Sequence, residues 1–546
     1  MSSATRIDIP NWLDVAARSH PDKLALSYGD EHWSFAGLRR AADATATLLT
    51  SAHSDLNGRI GILSANRPGF VFAVHAATAL GVPFVPLNWR QTDGEIAWQL
   101  RDANITVLVV DQERFPVAHL ACAGRSITIV PVEEVEHATA NTDQQTRSQV
   151  ETHRRPSSQP PPSPIAMGDS PLQWRGARGG AGPGVRVNLQ HEAAVLYTSG
   201  TSGRPKGARL TYGNLWFSAV ASALHLGHHA DDIWLAAMPL FHVGGLSILF
   251  RGVITMTPVI LHDQFDPEAS LLAIDRGATL VSVVPAMLQR MIERREKAPW
   301  PEHLRCVLLG GSAAPPSLVD DCLRLGIPVA PTYGLTETAS QAATLLPAET
   351  PQKRESSGRP LPLTEVRIAA SSGNASPNDI GEIEVRGPTI FAGYLDDPDA
   401  ASSRTTDGWF RTGDVGYLDD DGFLYVVDRR DDLIVSGGEN VYPAEIERVL
   451  REHPLVSDAA VIGVADDAWG SRPIAAVVWT GDRADASTVL HRHCVERLGR
   501  YKVPDRILLV AEIPRSSSGK LLRRRLRASV QAERGPWPAE PIPPAR

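Results

Sequence analysis

Short apolar runs set between amphipathic helical stretches constrain this chain more than any other feature. RIGILSA (59–65), PFVPLN (83–88) and ITVLVVD (105–111) are too short for helices and too uniformly apolar for half-exposed strands. Helical stretches such as LRRAADATATLLT (38–50) separate them. Apolar strands alternating with helices predict a largely parallel sheet covered on both faces, hence an α/β fold. The pattern runs from Asn11 to about Val135 and resumes at AAVLYTSG (193–200), with TLVSVVP (279–285) and LRCVLLGG (304–311) further on. At 546 residues the chain is too long for one core, and two to four domains are expected.

Between about Glu136 and Gln190 the periodicity stops. SSQPPPSP (157–164) and RGARGGAGPG (175–184) read as a low-complexity insertion. A polybasic tether built from His153, Arg154, Arg155, Arg175, Arg178 and Arg186 is the alternative, but these charges are sparse. From about Glu382 the pattern turns to β, in GEIEVRG (381–387) and GFLYVVD (422–428). After Asp431 comes a smaller α+β unit with helices at 444–453 and 487–499 and strands at 459–465 and 474–479. The predicted division is a large domain over 1–430, a small one over 431–530, and a Pro-rich disordered tail over 531–546.

Charge and cysteine content narrow the function. Acidic residues number 62 against 54 basic, a net charge of −8 that argues against a nucleic-acid binder. Cys122, Cys306, Cys322 and Cys494 form neither a disulfide framework nor a CxxC metal pair. No basic and apolar leader opens the sequence, and no window approaches the roughly 18 apolar residues of a membrane span. The expectation is a cytoplasmic protein without a membrane span.

Chemistry concentrates in YTSGTSGRPKG (197–207), where glycines, hydroxyls and one lysine follow an apolar strand. Glycine lets the backbone approach a ligand, and successive N–H groups form an anion nest. Thr198, Ser199, Gly200, Thr201, Ser202, Gly203 and Lys206 therefore suit a polyphosphate. The loop lacks the GKS or GKT ending of a P-loop NTPase. In TYGLTETAS (332–340), the Thr336 hydroxyl can bond an α-phosphate and Glu337 can offer Mg²⁺ an oxygen; a helix cap is the plainer reading. Asp414 in RTGD can accept both ribose hydroxyls or simply close an Asx turn. Arg429, near Asp419 to Asp421 in sequence, has a surface ion pair as its plainer reading. Lys520, in SSSGKLLRRRLR, is a compact charge for a developing anion or one more base on a basic helix.

These motifs, in this order, resemble the adenylate-forming superfamily of acyl-CoA synthetases, peptide-synthetase adenylation domains and firefly-type luciferases. The resemblance spans nearly the whole chain apart from the insertion and the tail. It implies a large domain of mixed and parallel sheets plus a β-subdomain, and a small mobile C-terminal domain. It further implies ATP, Mg²⁺ and coenzyme A as co-substrates and cofactor. By resemblance Tyr333 and Gly334, with Gly311 and Ser312, lie near the nucleotide; Asp414 and Arg429 hold the ribose; Lys206, Thr336, Glu337 and Lys520 serve adenylation. Asp431 matches the family's hinge. Ser436, Gly437, Gly438 and Glu439 match a loop that swings in for thioester formation.

Closer segments, PLFHVGGLSILFRGVI (239–254), YGLTETASQAATL (333–345), DRRDDLIVSGGENVYPAEIE (428–447) and DDAWGSRPIAAVV (466–478), are most similar to the o-succinylbenzoate–CoA ligases of menaquinone synthesis. Those enzymes activate the succinyl carboxylate and leave an aromatic carboxylate free. Arg251 stands where that subfamily has a basic residue for the free carboxylate, with a surface helix arginine as its alternative. His242 and Gly310 are expected to line the acyl pocket. Gly244 departs from the subfamily, which has Ser there. Other aryl, medium-chain or long-chain acyl-CoA synthetases, a luciferase-type oxidoreductase and a non-catalytic relative remain as rivals. The expected partners are a small carboxylic acid, ATP, CoA and a second copy in a homodimer.

Overall fold

The computed structural model describes residues 7–53, 56–138, 185–198, 205–370, 373–396, 404–429, 432, 434–436, 439–466, 470–498, 502–515 and 521–532. The chain divides into two compact units, 1–195 and 196–546.

In the first unit the apolar runs are strands. Arg59–Leu63 pairs in parallel with Phe84–Pro86 on one side and Ile105–Val110 on the other, and Thr128–Pro131 extends the sheet. Phe84 in turn pairs with Ala194 of the strand that begins at Glu192. Ile60, Ile62, Leu63 and the run Val107 to Val110 are fully buried, because helices cover both faces of such a sheet. Helix Pro68–Leu80 is apolar and buried nearly all round, and Gly81 ends it in the left-handed conformation (φ 67°). Helix Phe35–Ala52 begins at Ser34, whose hydroxyl accepts from Gly37 N. The insertion is narrower than 136–190. Residues through 138 are helical, and Arg186–Asn188 is a strand antiparallel to Asp8–Pro10; residues 139–184 lie outside the described residues.

The second unit opens with another parallel sheet. Val259–Leu261, Trp234–Ala236, Leu280–Val283, Cys306–Leu309 and Val329–Leu335 lie side by side in that order. Ser340–Thr344 then folds back antiparallel onto Val329–Leu335. Helices Pro267–Asp275, Pro285–Arg295 and Pro316–Arg324 pack on this sheet through Leu271, Ile274, Leu288, Met291, Leu318 and Val319. The β region starts earlier than the sequence suggested. Ser340–Thr344 and Glu365–Ala370 precede Gly381–Arg386, Phe410–Leu418 and Leu424–Arg429.

The C-terminal α+β part is built on strands Val456–Asp466 and Gly470–Trp479, with Arg506–Leu509 parallel to the latter. Alternation sorts its core to two faces. Ala459, Val461, Ala475 and Val477 meet Ile446, Leu450, Leu490 and Cys494 of helices Pro443–Arg451 and Ala486–Val495. Ala460, Ile462, Ile474 and Ala476 meet Leu526 and Val530 of helix Arg523–Ala532. That helix extends past 530, so the predicted tail is shortened; residues 533–546 lie outside the described residues.

All four cysteines are free and buried. Burial pushes the Cys306 and Cys322 thiols up to about 12 and Cys494 to about 11, and raises Cys122. Among the described residues, no helix is long and apolar enough to cross a membrane.

Candidate active site

In sheets of parallel strands, ligands bind beyond the carboxyl ends of the strands. Here those ends present Gly310 and Gly311 after Cys306–Leu309, and Tyr333 and Gly334 at the end of Val329–Leu335. Gly310 N donates to Val283 O at 3.1 Å, and a Cβ at Gly310 would meet the Thr332 methyl at 2.7 Å. Gly311 takes φ +80°, open to glycine, and half-buried Ser312 follows it.

Residues 333–340 carry most of the chemistry. Pairing of Val329–Leu335 with Ser340–Thr344 shifts register at Tyr333 and Gly334. A Cβ at Gly334 would lie 1.8 Å from the Ser340 carbonyl oxygen, so only glycine fits. Thr336–Thr338 forms one 3₁₀ turn, and Ala339 (φ 53°) and Ser340 (φ 119°) reverse the chain. Ser340 is strained for a non-glycine residue.

The Tyr333 hydroxyl donates to Asp414 Oδ2 at 2.7 Å, and both side chains are buried. Asp414 N donates to the Thr412 hydroxyl at 3.1 Å, and Asp414 lies opposite Arg429 in the antiparallel register. Lys353 Nζ donates to Asp419 and Asp421 at 2.7 Å each.

Glu337 does not act as a helix cap. Its carboxylate is buried and accepts from the Tyr394 hydroxyl at 2.7 Å, while its carbonyl accepts from Phe391 N at 2.9 Å. Lys206 Nζ sits 5.1 Å from the centre of the Tyr394 ring, and Lys206 O accepts from the Thr198 hydroxyl at 3.4 Å. Thr336 is half-buried beside Glu337. Among the described residues no group of three or more His, Cys, Asp or Glu gathers for a metal. A single carboxylate fits Mg²⁺ all the same, because that ion takes one or two protein carboxylates and completes its shell with phosphates and water.

Arg251 is not a surface arginine. It is 2% exposed in helix Val243–Thr255, and burial pushes its guanidinium down to about 10. Nη2 donates to the Ser340 hydroxyl at 3.0 Å, and the guanidinium lies 5.1 Å from the Trp234 ring centre. Among the described residues Nε and Nη1 have no hydrogen-bond partner. His242 is the N-cap residue of this helix, half-buried, with its ring 4.6 Å from that of Phe241. A Cβ at Gly244 would meet Met238 Cε at 3.0 Å.

The structure thus brings together Lys206, Glu337 and, through Tyr394, their link; Tyr333 with Asp414; and Arg251 with Ser340. Tyr394 and Ser340 were missed in the sequence. Ser340 closes a motif already noticed, and Tyr394 is an isolated aromatic hydroxyl in FAGYLDDP with no periodicity to mark it. Ser199, Gly200, Thr201, Ser202, Gly203, Asp431, Gly437, Gly438 and Lys520 lie outside the described residues. Asp432, next to the expected hinge, accepts from Arg523 Nη1 at 3.1 Å. Ser436 and Glu439 are partners in the antiparallel register of strands Ile434–Ser436 and Glu439–Val441.

Residues 13–395 match the AMP-binding enzyme family, and residues 445–520 match the AMP-binding enzyme C-terminal domain. The chain is 41% identical over 523 residues to the 2-succinylbenzoate–CoA ligase of Geobacillus kaustophilus, covering 96% of this chain and 98% of that one. It is 40% identical over 521 residues to the ligase of the same name from Bacillus licheniformis, covering 95% and 100%. Among solved structures, the o-succinylbenzoate CoA synthetase of Bacillus subtilis in complex with its acyl-adenylate intermediate superposes with a TM-score of 0.82 at 36% identity, covering 95% and 98%. The same enzyme with ATP and magnesium ion gives 0.81 at 36% identity, covering 95% and 100%. On its motifs, its fold and these matches, the chain belongs to the family of AMP-binding enzymes.

Proposed function

We propose that this chain is an AMP-forming carboxylate–CoA ligase that converts o-succinylbenzoate into its CoA thioester, in the synthesis of menaquinone. The observation that carries the choice of acid is Arg251. A buried guanidinium with two donor nitrogens unpartnered among the described residues is costly unless a ligand supplies an acceptor. An acid with a second carboxylate does so bidentately. A purely apolar medium-chain or long-chain acid would leave the charge stranded.

In this reading ATP lies against Thr198 to Gly203, with Tyr333, Gly311 and Ser312 about the adenine and Asp414 and Arg429 on the ribose. Mg²⁺, when bound, neutralises phosphate charge, and Glu337 is the carboxylate suited to hold it. The acid's succinyl carboxylate attacks the α-phosphorus, pyrophosphate leaves, and an acyl-adenylate forms. Thr336, Lys206 and Lys520 stabilise the charge that develops; no protein nucleophile takes part. Rotation about Asp431 then brings Ser436 to Glu439 to the site, and the CoA thiolate displaces AMP. His242 and Gly310 line the acyl pocket.

Pyrophosphate release and thioester formation with o-succinylbenzoate, benzoate, 4-coumarate and octanoate, each with and without CoA, test the reading. Preference for o-succinylbenzoate is expected. Activity on another acid alone would replace the substrate and keep the reaction. Light emission with a heterocyclic acid would favour a luciferase-type oxidoreductase, and no exchange with any acid a non-catalytic relative. A cytoplasmic homodimer belongs to the same proposal, tested by cell fractionation and light scattering.

A further inference from the structure

Tyr394 stands between two groups assigned to the nucleotide, yet touches each through a different part of its side chain. Its hydroxyl donates to Glu337 Oε1 at 2.7 Å, and its ring face lies 5.1 Å from Lys206 Nζ. The backbone fixes this arrangement. Strand Lys206–Thr211 runs against residues 392–395: Leu395 N donates to Gly207 O at 2.8 Å, Arg209 N to Gly393 O at 2.9 Å and Ala392 N to Arg209 O at 2.8 Å. Ala208 and Tyr394 face each other as a bridge pair. One residue further back, Phe391 N holds the Glu337 carbonyl at 2.9 Å. Phe391 also supports the Tyr394 ring edge-on at 4.7 Å and rests on Phe410 at 5.2 Å. The segment 391–395 therefore binds the end of the phosphate loop and the Glu337 turn at once.

We infer that Tyr394 is a positioning residue that sets the Glu337 carboxylate for the metal through its hydroxyl and the Lys206 ammonium for the phosphates through its ring. A hydrogen bond to one carboxylate oxygen orients the group and leaves the other oxygen to a cation, as partners behind metal ligands do. A cation over an aromatic face loses rotational freedom while keeping its charge. The two functions are separable, because phenylalanine keeps the ring and loses only the hydroxyl.

This inference rests on the nucleotide-site reading above, and its test is a binding experiment. Mn²⁺ affinity is read by electron paramagnetic resonance in the presence of α,β-methylene-ATP, which cannot donate its adenylyl group. Affinity for that analogue without metal is read separately by calorimetry. Tyr394→Phe is expected to weaken Mn²⁺ binding about 10-fold with metal-free nucleotide affinity unchanged. Tyr394→Leu is expected to weaken both, the nucleotide by about 3-fold to 5-fold. Phe-variant Mn²⁺ affinity equal to that of the unaltered enzyme overturns the inference, as does equal loss of nucleotide affinity in both variants. Should the Leu variant not fold, the Phe variant decides by itself. If the unaltered enzyme bound no nucleotide, the site reading and this inference would fall together; normal binding with a silent Phe variant removes only the role of Tyr394.

Discussion

The phenol of Tyr333 and the carboxylate of Asp414, 81 positions apart, are joined by one 2.7 Å hydrogen bond inside the protein. The bond ties the end of a parallel strand to the β region that follows it. In the proposed reading Asp414 is the carboxylate that accepts from the ribose. Asp414→Ala should raise the KM for ATP about 10-fold to 100-fold, the loss of charge-assisted hydrogen bonds, with the KM for the acid little changed. Tyr333→Phe should raise it only about 3-fold to 5-fold. Steady-state kinetics with each substrate varied in turn checks both. Equal effects on ATP and acid would remove the ribose assignment.

Arg251 is expected to show a conflict between stability and activity. Among the described residues its buried charge has a hydroxyl partner and an aromatic face but no acid. Arg251→Met fills a similar volume without a charge and should stabilise the free protein by about 1–3 kcal/mol. The same change should lower kcat/KM for o-succinylbenzoate about 100-fold or more while sparing acids that lack the second carboxylate. Thermal melts and kinetics on one preparation test the pair. A variant both less stable and equally active would sink the assignment.

His75 predicts an acid limb of stability. It is fully buried in Pro68–Leu80, and burial pushes its imidazole down to about 4 from an ordinary value near 6.5. Between those values the unfolded chain binds the extra proton, so stability falls as the pH drops from 6.5 to 4 and the loss levels off below. The contribution is about 3 kcal/mol. Denaturant melts across that range should show the slope, and His75→Gln should flatten it.

Lys520→Ala should cripple adenylation, read as pyrophosphate exchange, far more than thioester formation from supplied acyl-adenylate. Comparable losses in both half-reactions would take the lysine out of the adenylation step.

Gly334→Ala places a methyl 1.8 Å from the Ser340 carbonyl, in a turn with no slack. A cost of about 2–3 kcal/mol is expected, with loss of ATP binding, since Tyr333 and Glu337 flank the distorted backbone. A melt unchanged within error would contradict the tight turn.

The parallel strands were legible because their apolar runs are self-contained: Arg59–Leu63, Ile105–Val110, Leu280–Val283 and Cys306–Leu309 fall within the expected runs. Ser340–Thr344 was not, because SQAAT has neither alternation nor bulk and is a strand only through its partner. The motif residues Tyr333, Glu337 and Asp414 were legible through the resemblance of their motifs to the adenylate-forming superfamily. Their partners were not: whether Arg251 is exposed, or Tyr394 reaches Glu337, depends on which helix and which loop come to lie alongside. Register carries that information, and local pattern does not.

The four buried cysteines have a practical consequence. With every native thiol shielded and held protonated, a maleimide dye has little native thiol to attack at neutral pH. A cysteine introduced at exposed Ser457 and another at exposed Asp407 would be the preferred labelling points, one on each side of the expected hinge. Energy transfer between two dyes placed there would follow the C-terminal part through a catalytic cycle in the otherwise native sequence, with no need to strip out the existing cysteines first.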